Sequence, residues 1–228
     1  DAQTFGRLTD FGVRHGAAPF TVLVACLYAF FSRAYLRSDI TFGYPILNRA
    51  SSDERAKIGL FTRLLPLRVS AAPSATFLEL VKLVAKAQRS NLRHRRCPLS
   101  EMFPGSAPGR PFDVVLSFAR HDYDLRFGAC TARAVSLSNE SLLQPLSFFV
   151  EEFVSGADAA MVLDYNLAYF KASDAARRLR NLKHLLAQVL DSPESKLADF
   201  EVAAPADVEA VRSRFNPAAE VDSGPLQI

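Results

Sequence analysis

Residues 39–49 read DITFGYPILNR, and the fold turns on how this run is placed. Its first eight residues, 39–46, are rich in β-formers and close on a proline, so they read as a strand feeding a loop around Asn48 and Arg49 that runs to about Gly59. Just upstream, Pro19 suits the first turn of a helix, and 22–35 is apolar on almost every face, as in a helix buried on several sides. The apolar stretch 19–31 ends at Ser32 and Arg33, short of the roughly 20 residues that a bilayer span needs. It reads as a core helix. Before it, Phe5, Leu8, Phe11 and Gly12 recur at helical spacing, with Gly16 as the stop.

Downstream, 64–69 reads as a second strand, and Ala72-Pro73-Ser74 separates it from a helix over 75–93 with Phe77, Leu80, Val81 and Val84 on one face. The basic run at its end, 89–96, suits the helix dipole whether or not it binds anything. After a Gly/Pro loop at 104–111, strands are expected at 112–119, 125–127, 131–137, 146–153 and 160–165. Ser173 is placed to cap a last long helix over 174–190, striped by Leu179, Leu182, Leu186, Val189 and Leu190, with Pro193 beyond. From 196 the chain turns Ala/Pro-rich and acidic, with a short helix expected at 206–215.

Composition sets the bounds. At 228 residues and 49% hydrophobic, the chain can bury one substantial core. A formal charge of +3 is too small to imply a nucleic-acid footprint. Cys26, Cys97 and Cys130 are far apart, with neither disulfide nor zinc spacing, which suits a reducing cytoplasm. The first residue is Asp rather than Met, as expected of a piece of something longer. His15, His94, His121 and His184 are isolated, no G-x-S-x-G precedes a helix, and no Gly-rich phosphate loop is present.

Taken in order, several segments resemble the second half of condensation domains of nonribosomal peptide synthetases. The resemblance rests on 17–35 (AAPFTVLVACLYAFFSRAY), on DITFGYPILNR, on 58–68 (IGLFTRLLPLR, with Arg63 where the family has Asn), on 94–102 (HRRCPLSEM) and on 110–117 (RPFDVVLS). The segment 197–216, ending VRSRFN, resembles the linker leading into an adenylation domain. The resemblance implies an α/β, chloramphenicol-acetyltransferase-like lobe, a mixed β-sheet with helices packed on one side. It also implies a C-terminal subdomain at 1–195 and a linker at 196–228.

Family members join carrier-tethered thioesters through amide bonds, using a His-His-x-x-x-Asp-Gly motif on the other lobe. No two histidines are adjacent here, so the resemblance implies that this chain carries no catalytic residue and is inactive alone. Partners would be the N-terminal lobe, peptidyl carrier proteins and an adenylation domain, with no nucleic acid and no membrane. No metal or cofactor is expected, and phosphopantetheine arms would enter as substrates. Arg49 resembles the residue that pairs with the Asp of the histidine motif and braces that loop; the alternative is a solvated loop arginine. Asn48 stands beside it. The strand 112–120 resembles one lining the substrate tunnel, with Ser117 nearest the reaction centre. Alternation puts Val115, Ser117 and Ala119 on one face; an ordinary half-buried strand is the other reading. Ala119-Arg120-His121 replaces the family's polar pair after that strand. Two further readings stand beside catalysis: a silent docking or recruitment module of the same fold, and a free-standing acyltransferase using coenzyme A, which the C-terminal segment does not suit.

Overall fold

The computed structural model describes residues 2–103, 111–120, 126–131, 137, 141–152 and 159–216. Most of the 104–111 loop, His121, parts of the strands expected at 125–127, 131–137 and 146–153, and the tail from 217 lie outside these. The chain opens with α1 (Ala2–His15), which stops where Gly16 takes the left-handed conformation at φ 63°, and α2 (Pro19–Tyr35). Eleven consecutive α2 residues, from Thr21 to Phe31, are buried, so this is the central core helix its composition implies. Among the described residues no single helix is long and apolar enough to cross a membrane.

Strand β1 (Asp39–Ile46) has the expected bounds. It pairs antiparallel with β2 (Arg63–Ser70) and parallel with β3 (Val114–Arg120). Two short strands, β4 (Arg126–Phe127) and β5 (Cys130–Thr131), make a separate antiparallel pair. Then β6 (Leu146–Glu152) lies parallel to β3 and antiparallel to β7 (Ala159–Tyr165). The result is a five-stranded mixed sheet in the order β2-β1-β3-β6-β7.

Alternation decides which face is covered. Phe42 and Tyr44, Leu65 and Leu67, Val114 and Leu116, and Leu146 and Phe148 share one core with α1, α2, α4 (Phe77–Arg93) and α6 (Ala172–Asp191). All four helices lie on that face. The long helix α6 begins two residues earlier than expected: Ser173 lies inside it, and the Asp174 carboxylate accepts from the Lys171 N–H at 3.3 Å. Two short helices were not expected, α3 (Ser52–Ala56) and α5 (Leu99–Met102). Residues just past 195 are still packed on the body: Leu197 N–H donates to the Ala75 carbonyl at 2.8 Å, and Leu197 and Phe200 belong to the core. A last helix, α7 (Pro205–Phe215), follows close to the expected span, and Arg180 of α6 pairs with its Asp207 at 2.7 Å.

One buried hydroxyl ties the start of β1 to the end of β2. Tyr28 of α2 donates to the Ser38 carbonyl at 2.6 Å and accepts from the Ala71 N–H at 2.9 Å. Tyr28→Phe keeps the ring but leaves the Ser38 carbonyl one partner short in a part-buried setting. The expected loss, read by urea unfolding, is about 1 to 2 kcal/mol.

Candidate functional site

β1, β3 and β6 run parallel, so their C-terminal ends lie along one edge of the sheet. The loop carrying Asn48 and Arg49 leaves β1 at that edge. On the face away from the helices, register places Ser117 of β3 beside Phe149 of β6, and Phe149 beside Val162 of β7. One step on, Ala119 lies beside Glu151; one step back, Val115 lies between Gly43 and Ser147. Val115, Ser117 and Ala119 do share a face, as alternation required. They differ in cover: Ser117 and Ala119 are half-buried, whereas Val115 is buried. Its neighbour Gly43 explains part of this, because the Phe112 ring lies directly over it.

Arg49 is half-buried, and its guanidinium is engaged with its own loop. Its Nη1 donates to the carbonyls of Glu54 and Lys57, the latter at 2.5 Å, and its Nη2 to that of Gly59 at 2.9 Å. The guanidinium also stacks on Phe61, 4.1 Å from the ring centroid. Helix α3 ends with unpaired carbonyls, as every helix does, and Arg49 reaches back to fill that need. Among the described residues the Nε–H and one Nη2–H of Arg49 keep no partner. Beside it Asn48 sits at φ 50°, a left-handed conformation that Asn tolerates, with a buried Oδ1 lacking a partner.

Glu54 holds the segment in place. Its carboxylate accepts from the N–H groups of Ala50 and Ser51, at 2.5 and 3.3 Å, and from Arg96 at 3.2 Å. Those two backbone donors, with Arg96 and Lys57 nearby, hold the carboxyl below its usual range. Arg63 donates to the Arg96 carbonyl at 3.1 Å, so the loop after α4 is fastened both to α3, through Glu54, and to the start of β2. Sequence reading missed Glu54 and Arg96 as parts of this site. The S-x-x-E pattern at 51–54, a capping box, was the available signal for Glu54; nothing local announces a partner at 96.

At the ends of β3 and β6, Arg120 grips the buried Glu152 side-on, with Nε to Oε2 at 2.8 Å and Nη2 to Oε1 at 3.2 Å. Arg120 belongs to the Ala119-Arg120-His121 run that replaces the family's polar pair, and its partner comes from another strand, β6. Of the described histidines, His15 packs on Phe11, His94 caps α4 and His184 lies within α6. Cys26 is enclosed by the core, and burial pushes its thiol up to about 12, which makes it a packing residue.

A mixed five-stranded sheet, helices on one face and an open face ending at an arginine-held loop define a chloramphenicol-acetyltransferase-like lobe. The family described as Condensation domain matches residues 1–211, and the chain belongs to that family. It is 24% identical over 224 residues to surfactin synthase subunit 1 of Bacillus subtilis (strain 168), covering 95% of this chain and 6% of that protein. Against tyrocidine synthase 3 of Brevibacillus parabrevis it is 24% identical over 217 residues, covering 92% and 3%. The condensation domain from the monacolin K polyketide synthase MokA superposes with a TM-score of 0.77 at 22% identity, over 87% of this chain and 47% of that one. The X-domain from teicoplanin biosynthesis, solved in complex with OxyB, gives 0.74 at 26% identity, over 90% and 47%. The chain thus spans a small fraction of the synthetases and under half of those solved chains.

Proposed function

We propose that this chain is the C-terminal lobe of a domain that forms amide bonds between carrier-tethered aminoacyl and peptidyl or acyl thioesters, with the histidine motif on a lobe outside this sequence. In that reaction the acceptor amine nitrogen attacks the donor thioester carbonyl. The C–N bond forms, the C–S bond breaks, the pantetheine thiolate leaves and the amine gives up one proton. The observation that carries the reading is the shared edge: a half-buried row of small side chains, Ser117 and Ala119, reaches the same end of the sheet as Arg49. Leu47, Ile58 and Leu60, exposed around Arg49, suit a surface covered by another lobe.

In this reading Val115, Ser117 and Ala119 with Asn48 form a wall past which the phosphopantetheine arms run, and the chain itself holds no cofactor. Arg49 offers its remaining Nε–H and Nη2–H to the motif's carboxylate. Carrier proteins deliver both substrates, the region 196–228 leads towards an adenylation domain, and the three free cysteines suit a cytoplasmic setting. Ser117→Trp in the parent domain fills the wall with an indole. It is expected to cut amide formation at least about tenfold with folding unchanged, because a clash of this kind at a reacting centre costs orientation. Turnover equal to wild type would remove Ser117 from the wall, and amide product from the 228-residue chain alone would overturn the reading.

A recruitment module is the second reading, favoured by the likeness to the X-domain found in complex with OxyB and by Arg63 and Arg120 at positions where the family pattern differs. A parent domain with an intact histidine motif and measurable condensation decides for the enzyme.

A further inference from the structure

The helix-covered side of the sheet is not filled throughout. Between α1, α2, α6 and the strands β3, β6 and β7 lies a cavity of about 270 Å³. Its floor is buried and apolar, made by Leu23, Cys26 and Leu27 of α2, Leu116 of β3, Val150 of β6 and Leu182 of α6. The raised Cys26 thiol fits a floor that water does not reach. The rim is different. Phe5, Ala159 and Leu179 are half-buried there, Thr4 adds a hydroxyl, and Lys183 of α6 is exposed. Among the described lining residues Lys183 alone is charged. The hollow is therefore a pit with an apolar floor and a cationic mouth, on the face of the sheet opposite Ser117.

Native interiors leave few voids larger than a water molecule, so a pit of this size calls for an occupant. An apolar cavity of about 150 Å³ stays dry and takes up benzene, and scaling from that case gives room for roughly ten carbons here. Lys183 favours negative charge where such a chain emerges. We infer that this cavity binds a medium-chain alkyl carboxylate, its chain between α2 and the sheet and its head beside Lys183 and Thr4. A concave, mostly apolar surface with a few polar groups at one end is the usual build of a small-molecule site. The site shares no residue with the wall or the Arg49 loop, so it stands or falls without the amide-forming reading.

Isothermal titration of the full 228-residue chain with sodium decanoate, kept below its micelle concentration, is expected to give saturable one-to-one binding. Sodium hexanoate, which lacks four of the methylenes, is expected to bind about 100-fold more weakly or worse, at about fourfold per methylene. Lys183→Glu is expected to weaken decanoate about fivefold and to tighten decyltrimethylammonium, which carries the opposite charge on the same chain. Ala159→Phe puts a ring into the mouth and is expected to abolish binding. If circular dichroism shows that this variant does not fold, Leu179→Trp blocks the same mouth from α6. No saturable decanoate binding by wild type, or equal binding by the blocked variant, would overturn the site. An unchanged decanoate Kd in Lys183→Glu, or decyltrimethylammonium bound by wild type as tightly as decanoate, would overturn the carboxylate assignment.

Discussion

Gly43→Ala is expected to lower the unfolding free energy by about 2 to 3 kcal/mol, and Gly43→Val to prevent folding. A Cβ at this position would stand 2.2, 2.5 and 2.7 Å from three atoms of the Phe112 ring, closer than any real carbon contact. The backbone cannot retreat, because Gly43 is paired on both sides, with Pro66 of β2 and with Val115 of β3. Phe112 cannot swing out cheaply either, since its ring is buried. Phe112→Ala alone removes that ring, at about 3 to 5 kcal/mol. If the clash is the cause, the double variant loses less than the sum of the two single losses, as contacting residues do. Urea unfolding of the four proteins reads the coupling, and a neutral Gly43→Ala would refute the account.

Arg49→Lys in the intact parent domain is expected to reduce amide formation by roughly 100-fold, the scale at which small misplacements act, while leaving global stability nearly untouched. Lysine keeps the charge. It cannot reach the carbonyls of Glu54, Lys57 and Gly59 together, lie flat on Phe61 and still present a fork to a carboxylate. A second readout needs no substrate: in the 228-residue chain, tryptic cleavage after Arg55 and Lys57 should quicken in Arg49→Lys, because the loop has lost its tie. Unchanged turnover would end the proposed role in catalysis, and unchanged cleavage would end the bracing role.

Much of this architecture was readable from the chain itself. The β-formers between two breaks gave β1 its bounds, and the all-round apolar run of α2 announced a helix buried on every side, because both signals are local and repeat with the period of their element. The start of α6 was misread, since a serine near a helix start looks like a cap whichever of several residues the chain uses. The site was readable only in pieces. Ser117 and Ala119 followed from alternation, yet Val115 is buried, and no count of alternation weighs a phenylalanine lying over the neighbouring strand. Arg49 was noticed for a partner elsewhere, whereas its present bonds go to carbonyls five to ten residues on. The Glu54–Arg96 pair joins residues 42 apart, and only the folded chain brings them together.

The strand order bears on how the molecule is made. β1 and β2 are near in sequence and pair directly, with α1, α2 and α4 close by in the chain. β1 must instead wait for β3, some seventy residues further on, and β3 for β6, before the two parallel ladders can close. Because a chain leaves the ribosome N-terminus first and distant pairings are slow to find each other, the β1–β2 ribbon and its helices assemble first. The central strands then join a template that already exists, so synthesis itself builds the arginine-held loop before the β3 and β6 strands it adjoins.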